Sequence, residues 1–305
     1  MVDEVATVNK PRLSAAGYMT VSAFGFAVMG MCVKLGDTYG FPIMQMMVAR
    51  ATIAFLLSYW DVRRQNLSPW GNNRLMLFLR GILGLAGLIA VFTSLTLMPL
   101  AEATLIQYLH PVFTAFLAWV FLNEIIRKNT IFCITFSILG LFCIGQPESF
   151  GGKEVPIVAL FIGLVGAAIS AAAYTLVRHL SSSEHPAVIV LYFPMVCLPA
   201  SFIAGWEGFI MPDLLGWLIL LGIGVSTQVG QVGMTMGVAL ETASRATAFS
   251  YTQIVFAVVL GIVFLGEAPS FATIIGALLI VLGALINNLG AESQLKYRRA
   301  KYGER

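Results

Sequence analysis

The chain has 305 residues, of which 58% are hydrophobic and only 11% are charged. Soluble domains carry about 25% charged residues, so this composition excludes a water-soluble globular fold, and its hydrophobicity excludes a disordered chain. The formal net charge of +3 excludes nothing by itself, because in a membrane protein the placement of cations matters more than their sum.

Apolar runs bounded by charged or turn residues predict ten membrane-spanning helices. They cover residues 14–34, 42–60, 76–98, 101–122, 130–147, 156–178, 187–205, 214–237, 243–265 and 270–289. The connections between them are short and leave no room for a soluble domain. We therefore predict an all-α membrane protein whose two termini lie on the same side. The first apolar run is expected to be a span and not a signal peptide.

Lysine and arginine are unevenly distributed between the two sides that these spans define. Fourteen of the eighteen lie on the side that holds both termini, whereas only Lys34 and Lys153 lie on the other side. Because cytoplasmic loops carry the excess of cations, we expect both termini in the cytoplasm. The lack of a cleavable leader and of long loops favours a bacterial inner membrane.

The second half of the chain repeats the first. At an offset of 143, residues 103–140 align with residues 246–283 without a gap and share 14 identities in 38 positions. Because each half holds an odd number of spans, the second copy enters the membrane from the opposite side. We predict two inverted-topology five-helix repeats, residues 1–148 and residues 149–305, the latter with a basic cytoplasmic tail. Such repeats are typical of secondary transporters, which expose a central site to either side in turn.

Two segments carry a family resemblance: MPLAEATLIQYLHPVFTAFLAWVFLNE, from Met98 to Glu124, and ALETASRATAFSYTQIVFAVVLGIVFLGE, from Ala239 to Glu267. Together with RGILG, from Arg80 to Gly84, they resemble the paired signatures of EamA-type members of the drug/metabolite transporter superfamily, closest to the solute-carrier-35G-like branch. The resemblance implies ten spans in two five-helix repeats and cytoplasmic termini. Different members transport amino acids, S-adenosylmethionine, riboflavin or organic anions, so the substrate stays open.

Few charged residues fall within the spans or at their ends, and Arg50, about halfway along the second span, is the deepest. An unpaired cation is costly there and should face a cavity or a partner. Its guanidinium could bind a carboxylate or phosphate through two parallel hydrogen bonds, and the alternative is a structural pair inside the bundle. Arg80 lies nearer the cytoplasmic end of its span, so we expect it to reach the headgroups. For Glu102, Glu124 and Glu267, at span ends, we expect solvated helix caps.

Uncharged polar side chains cluster near mid-depth of the fourth, eighth and ninth spans. His110 aligns with Gln253 in the repeat, so these two side chains occupy pseudo-symmetric positions near the midplane, where such folds place their site. Polar side chains in hydrocarbon need partners, which a water-filled pocket supplies, with interhelical bonding as the alternative. We predict a substrate-binding site formed by eight residues, Arg50, Gln107, Tyr108, His110, Gln228, Gln231, Tyr251 and Gln253.

These features predict a secondary-type transporter that moves a small organic metabolite by alternating access. Arg50 favours an amino acid or related carboxylate-bearing compound. The alternatives are a cationic or nucleoside-like metabolite, such as S-adenosylmethionine or riboflavin, and a non-transporting membrane scaffold. The sequence has no phosphate-binding loop, zinc motif or nucleophile motif, so we expect no enzyme activity, metal, cofactor or nucleic acid partner. The expected partners are the substrate and the lipid bilayer, and a monomer is expected to hold the complete pathway, with a dimer as the alternative.

Overall fold

A computed structural model describes most of the chain, and the residues that it describes form α-helices joined by short turns, with no β-strand among them. The described residues are 13–107, 109–110, 113–114, 116–117, 128–145, 156–240, 252–267, 269–283 and 286. The helices in chain order are α1 (Ala15–Thr38), α2 (Ile43–Arg64), α3 (Arg74–Leu97), α4 (Leu100–Gln107), α5 (Lys128–Gly145), α6 (Ile157–Leu180), α7 (Pro186–Gly205), α8 (Leu214–Leu240), α9 (Thr252–Leu265) and α10 (Phe271–Gly283).

Six of the described helices, α1 to α3 and α6 to α8, are long and apolar enough to cross a membrane, and α9 and α10 are shorter apolar helices. Their outward side chains are apolar and exposed, as at Leu56, Ile203 and Val263, which are 61%, 76% and 65% exposed. Exposed apolar surface of this extent needs a lipid environment. The chain is therefore an integral, multi-pass membrane protein. Where predicted span ends and described helix ends can be compared, they agree to within four residues.

Polar side chains cap the starts of α1 and α8. At the start of α1, the Ser14 hydroxyl accepts a hydrogen bond from the backbone N–H of Gly17. At the start of α8, the Asp213 carboxylate accepts from the N–H of Gly216 and from the hydroxyl of Tyr39. These hydrogen bonds, chiefly the one from Tyr39, hold the pKa of the Asp213 carboxyl below its usual range. The same contact ties the end of α1 to the start of α8.

Helix packing follows the internal repeat. The most extensive contacts join α1 to α8, α3 to α6 and α2 to α7, and α4 packs against α9. In the alignment of the two halves, α1 corresponds to α6 and α3 to α8. Exchanging the halves therefore converts the α1–α8 contact into the α6–α3 contact, and leaves the α2–α7 and α4–α9 contacts unchanged. The two repeats interlock, and the space between them lies at the centre of the bundle.

A side-chain amide of α2 holds the connection between α7 and α8. Nε2 of Gln45 donates to the carbonyl oxygen of Ile210 over 2.6 Å, and Oε1 of Gln45 accepts from the N–H of Ile210 over 2.9 Å. Gln45→Leu is expected to lower stability by about 1–3 kcal/mol, because buried hydrogen bonds are lost while their backbone partners remain. Thermal unfolding in detergent checks this. Gln65→Leu, at an exposed position with a single hydrogen bond to Asp61, is the control. An equal loss in both variants would contradict the prediction.

Candidate substrate cavity

A cavity of about 120 Å³, partly open to its surroundings, lies between the two repeats. Residues of α1 to α3 and α6 to α9, together with Gln107 at the end of α4 and His110 beyond it, form its wall. The lining residues are Phe26, Met29, Arg50, Arg80, Leu83, Gly84, Leu88, Val91, Gln107, His110, Ser170, Ala173, Tyr174, Val177, Phe193, Gln231, Met234 and Gln253. In the described part of the chain this lining includes two arginines and no aspartate or glutamate.

Arg50 of α2 reaches the cavity and is only 2% exposed. Its guanidinium carbon lies 4.8 Å from the ring centroid of Phe193 and 5.9 Å from that of Phe92, so two aromatic faces support the cation. Its Nε and Nη1 have no hydrogen-bond partner in the part of the chain that the structure describes. Within the described residues no carboxylate forms an ion pair with it. This geometry leaves guanidinium donors available to an anionic group.

Arg80 of α3 also faces the cavity. The prediction that its side chain reaches the lipid headgroups is therefore wrong. Arg80 is 3% exposed, and its guanidinium carbon lies 5.2 Å from the ring centroid of Phe193. Nη2 donates to Oε1 of Gln231 on α8 over 3.2 Å, while Nε and Nη1 have no hydrogen-bond partner within the described ranges. The side chain turns inward because the face of α3 that carries it packs against α7, where Gly81 lies against Val196.

Gly84 leaves the space that Arg80 and Phe193 occupy. A methyl group at this position would lie 2.5 Å from Nη1 of Arg80 and 2.5 Å from Cδ2 of Phe193. Gly84→Ala is therefore expected to displace both side chains and to weaken binding of an anionic ligand about tenfold, without unfolding the protein, because an arginine tip can move. Ligand titration with a thermal melt of each variant checks this. Gly87→Ala, where the nearest atoms lie at 3.4 Å, is the control. Unchanged affinity in Gly84→Ala would contradict the prediction.

The polar side chains predicted for the fourth span take part in contacts with α6. Nε2 of Gln107 donates to the hydroxyl of Ser170 over 2.7 Å. The His110 ring, 3% exposed, stacks on Tyr174 with a centroid distance of 4.8 Å, and its Nδ1 lies 3.1 Å from the carbonyl oxygen of Gln107. Gln107 and His110 both line the cavity, and each also contacts a residue of α6. Tyr108 lies outside the described residues.

The remaining predicted residues divide between the cavity and a helix interface. Gln231 and Gln253 line the cavity. Gln228 instead donates from Nε2 to the hydroxyl of Ser58 on α2 over 2.9 Å, and it is not among the described residues that line the cavity. Tyr251 lies outside the described residues. The structure thus brings together five of the eight predicted residues.

Four of the lining residues that were not predicted from the sequence contact predicted residues or the arginines of the cavity: Arg80, Ser170, Tyr174 and Phe193. For Arg80 a signal existed, because a cation within a span demands a partner. Ser170 and Tyr174 are four residues apart, which places both polar groups on one face of α6. Phe193 gave no signal, since one phenylalanine in an apolar run has no distinguishing feature.

An ion pair joins α1 to the connection between α9 and α10 at one end of the bundle. Nζ of Lys34 on α1 lies 2.9 Å from Oε1 of Glu267, between α9 and α10. The same ammonium donates to the carbonyl oxygens of Leu95 and Met98 at the end of α3. Oε2 of Glu267 accepts from the N–H of Leu100 at the start of α4 over 2.8 Å. We call this set the Lys34–Glu267 closure.

Glu102 lies close to the Lys34–Glu267 closure and lines a small pocket together with Glu267. It is 6% exposed, and its Oε1 accepts from the hydroxyl of Thr273 on α10 over 2.6 Å. The expectation of a solvated cap is therefore wrong for Glu102. Glu267 meets the expectation in part, because its Oε2 accepts from the N–H of Leu100 at the start of α4 and its side chain is partly exposed, but its Oε1 is paired with Lys34. Glu124 lies outside the described residues. The apolar surroundings of both helix ends draw the carboxylates toward protein donors.

Comparison with known proteins agrees with this architecture. The EamA-like transporter family model matches residues 13–146 and again residues 157–289. The pseudopaline exporter CntI of Pseudomonas aeruginosa is 30% identical over 266 residues, which are 87% of this chain and 92% of that protein. Solute carrier family 35 member G1 of Mus musculus is 28% identical over 87% of this chain and 75% of its own. A solved structure at 20% identity has a TM-score of 0.65 over 90% of this chain and 98% of its own, which shows a shared fold.

A bundle of apolar helices around a polar central cavity, with relatives that are named as transporters and not as enzymes, defines a membrane transporter. The family model covers both halves of the chain, and the similar proteins include solute carrier family 35 member G1. This chain belongs to the EamA-like transporter family, within the drug/metabolite transporter superfamily and close to its solute-carrier-35G-like branch.

Proposed function

We propose that this protein moves a small carboxylate-bearing metabolite across the membrane by alternating access. One observation carries the choice of substrate: the cavity between the repeats is lined by buried Arg50 and Arg80, with no carboxylate among its described lining residues. A cation that is costly to bury is balanced best by a ligand of opposite charge. Seven of the eight residues predicted from the sequence remain the proposed contacts, Arg80 joins them, and Gln228 is left out because it contacts Ser58 instead.

The cavity charge disfavours the alternative substrate class. A cationic metabolite would meet like charge at both arginines, and like charges repel strongly where the dielectric constant is low. One similar protein, matched over 39% of this chain, is the riboflavin transporter of Vibrio cholerae. The described cavity favours an anion over such a nucleoside-like compound, because guanidinium groups recognise carboxylates with matched geometry.

The proposal also includes the membrane arrangement. It consists of ten spans in two inverted five-helix repeats, residues 1–148 and 149–305, with both termini in the cytoplasm of a bacterium. The reciprocal pairing of α1 with α8 and of α6 with α3 supports two related halves that can exchange conformations. In this orientation the Lys34–Glu267 closure lies at the end away from the cytoplasm. One chain supplies both walls of the cavity, which supports a functional monomer.

Counterflow in proteoliposomes tests the proposed function. Liposomes that contain the full chain are loaded with a mixture of unlabelled amino acids and organic acids, and uptake of each labelled compound is followed. We expect uptake of at least one carboxylate-bearing compound, and a reduction of at least tenfold in Arg50→Gln. Arg63→Gln, whose guanidinium stacks on Tyr59 at an exposed position, is the matched control. Uptake confined to cationic compounds, or no uptake of any compound, would overturn the proposal.

A further inference from the structure

The two cavity arginines share one aromatic ring. Arg50 comes from α2 and Arg80 from α3, and the guanidinium carbons lie 4.8 Å and 5.2 Å from the ring centroid of Phe193 on α7. The separation of the two guanidinium carbons therefore cannot exceed about twice these distances. Two cations at this spacing can be reached together by one small molecule.

Neither cation is neutralised by the described part of the protein. Arg50 is 2% exposed and Arg80 3%, and among the described residues neither Nε nor Nη1 of either side chain has a hydrogen-bond partner. The hydrogen bond that Arg80 donates from Nη2 to Gln231 is to a neutral amide. Two like charges in a buried space repel each other, so a single anion would leave one of them uncompensated.

We infer that the cavity binds a substrate with two separated anionic groups, of the dicarboxylate class, one held by each arginine. This inference rests on the proposed function and narrows it. In this arrangement the carbon chain between the acidic groups packs against Phe193, the apolar ring that both cations contact. Gln231 holds Arg80 in position through Nη2 and leaves the other donors of that guanidinium for the ligand. A compound with one acidic group can pair with only one of the two arginines at a time.

Binding to the full chain in lipid nanodiscs tests the inference. The probes are malonate, succinate, glutarate and adipate, and butyrate is the single-carboxylate partner of succinate. We expect at least one dicarboxylate to bind about tenfold to a hundredfold more tightly than butyrate, because a second charge-assisted pair forms. In Arg50→Gln and in Arg80→Gln the affinities for the dicarboxylate and for butyrate should become about equal. Arg63→Gln should leave it unchanged.

The ratio of the two affinities separates a lost contact from a damaged fold. A variant that does not fold loses butyrate binding as well, whereas a folded variant keeps one arginine and should still bind butyrate. Arg50→Lys and Arg80→Lys keep the charge and should therefore retain part of the preference for the dicarboxylate. A ratio near one in the wild type, or a preference that survives in Arg80→Gln, would overturn the inference. In both cases counterflow of a monocarboxylate would still support the proposed function. If none of these acids binds, the inference is wrong. The counterflow experiment then tests the proposed function separately.

Discussion

Replacing Lys34 with methionine is expected to open the end of the bundle that the Lys34–Glu267 closure holds shut. The substitution removes the ion pair and the two hydrogen bonds to the end of α3 at once. A partly buried pair of this kind contributes about 1–2 kcal/mol, which corresponds to a five- to thirtyfold shift between the closed and open states. Because the closure joins α1 of one repeat to the α9–α10 connection of the other, its loss favours the state in which the repeats separate there.

Cysteine modification measures this opening. Ala103, one turn into α4 and 2% exposed, is replaced by cysteine after the natural cysteines Cys32, Cys133, Cys143 and Cys197 are changed to serine. A membrane-impermeant maleimide should then react five- to thirtyfold faster in Lys34→Met, in right-side-out vesicles and not in inverted ones.

Two variants serve as controls for the closure. Lys34→Arg keeps the cation and its donors and should restore the slow rate, and Asp37→Asn changes an exposed charge nearby without touching the closure. Equal modification rates in Lys34→Met and wild type would show that the ion pair does not hold this end closed. Faster reaction in inverted vesicles alone would reverse the proposed orientation.

Gly25→Ala is expected to be the most destabilising of the small substitutions considered, because it separates α1 from α8. A methyl group at Gly25 would lie 2.8 Å from the N–H nitrogen of Gly230 and 2.8 Å from the carbonyl oxygen of Ser226. Both are backbone atoms, which cannot turn aside as a flexible side chain can. Close by, the Ser22 hydroxyl donates to the carbonyl oxygen of Gly230 over 2.7 Å, a bond that also requires this close approach.

The expected loss for Gly25→Ala is about 3 kcal/mol or more, at the upper end of overpacking costs. Unfolding by a denaturing detergent, followed by circular dichroism, measures it. Gly261→Ala in α9 is the matched control, because the nearest atom to its added methyl group lies at 3.6 Å, an ordinary contact. That variant should be as stable as wild type or slightly more stable, since alanine favours the helix. A smaller loss in Gly25→Ala than in Gly261→Ala would show that the α1–α8 contact is loose.

The placement of candidate residues shows how far sequence reasoning reaches. Arg50, His110 and Gln253 were predicted to lie near the centre from their depth along a span, and the structure places all three at the cavity. Depth follows from counting residues along an apolar run, because each helical residue rises by about 1.5 Å. Gln228, at a similar depth, points instead to Ser58 on a neighbouring helix. Depth was predictable, whereas the direction in which each side chain points was not.

The class of protein, the positions of the described helices and the two related halves were predictable from the sequence, because hydrophobic length and internal repetition are properties of the chain alone. The tertiary structure was needed to show that Arg80 turns inward beside Arg50, that one ring of Phe193 contacts both, and that Lys34 pairs with Glu267. The physical reason is that these contacts join residues far apart in the chain. Helix rotation and close approach at glycines such as Gly84 bring them together, and neither is encoded in a local pattern.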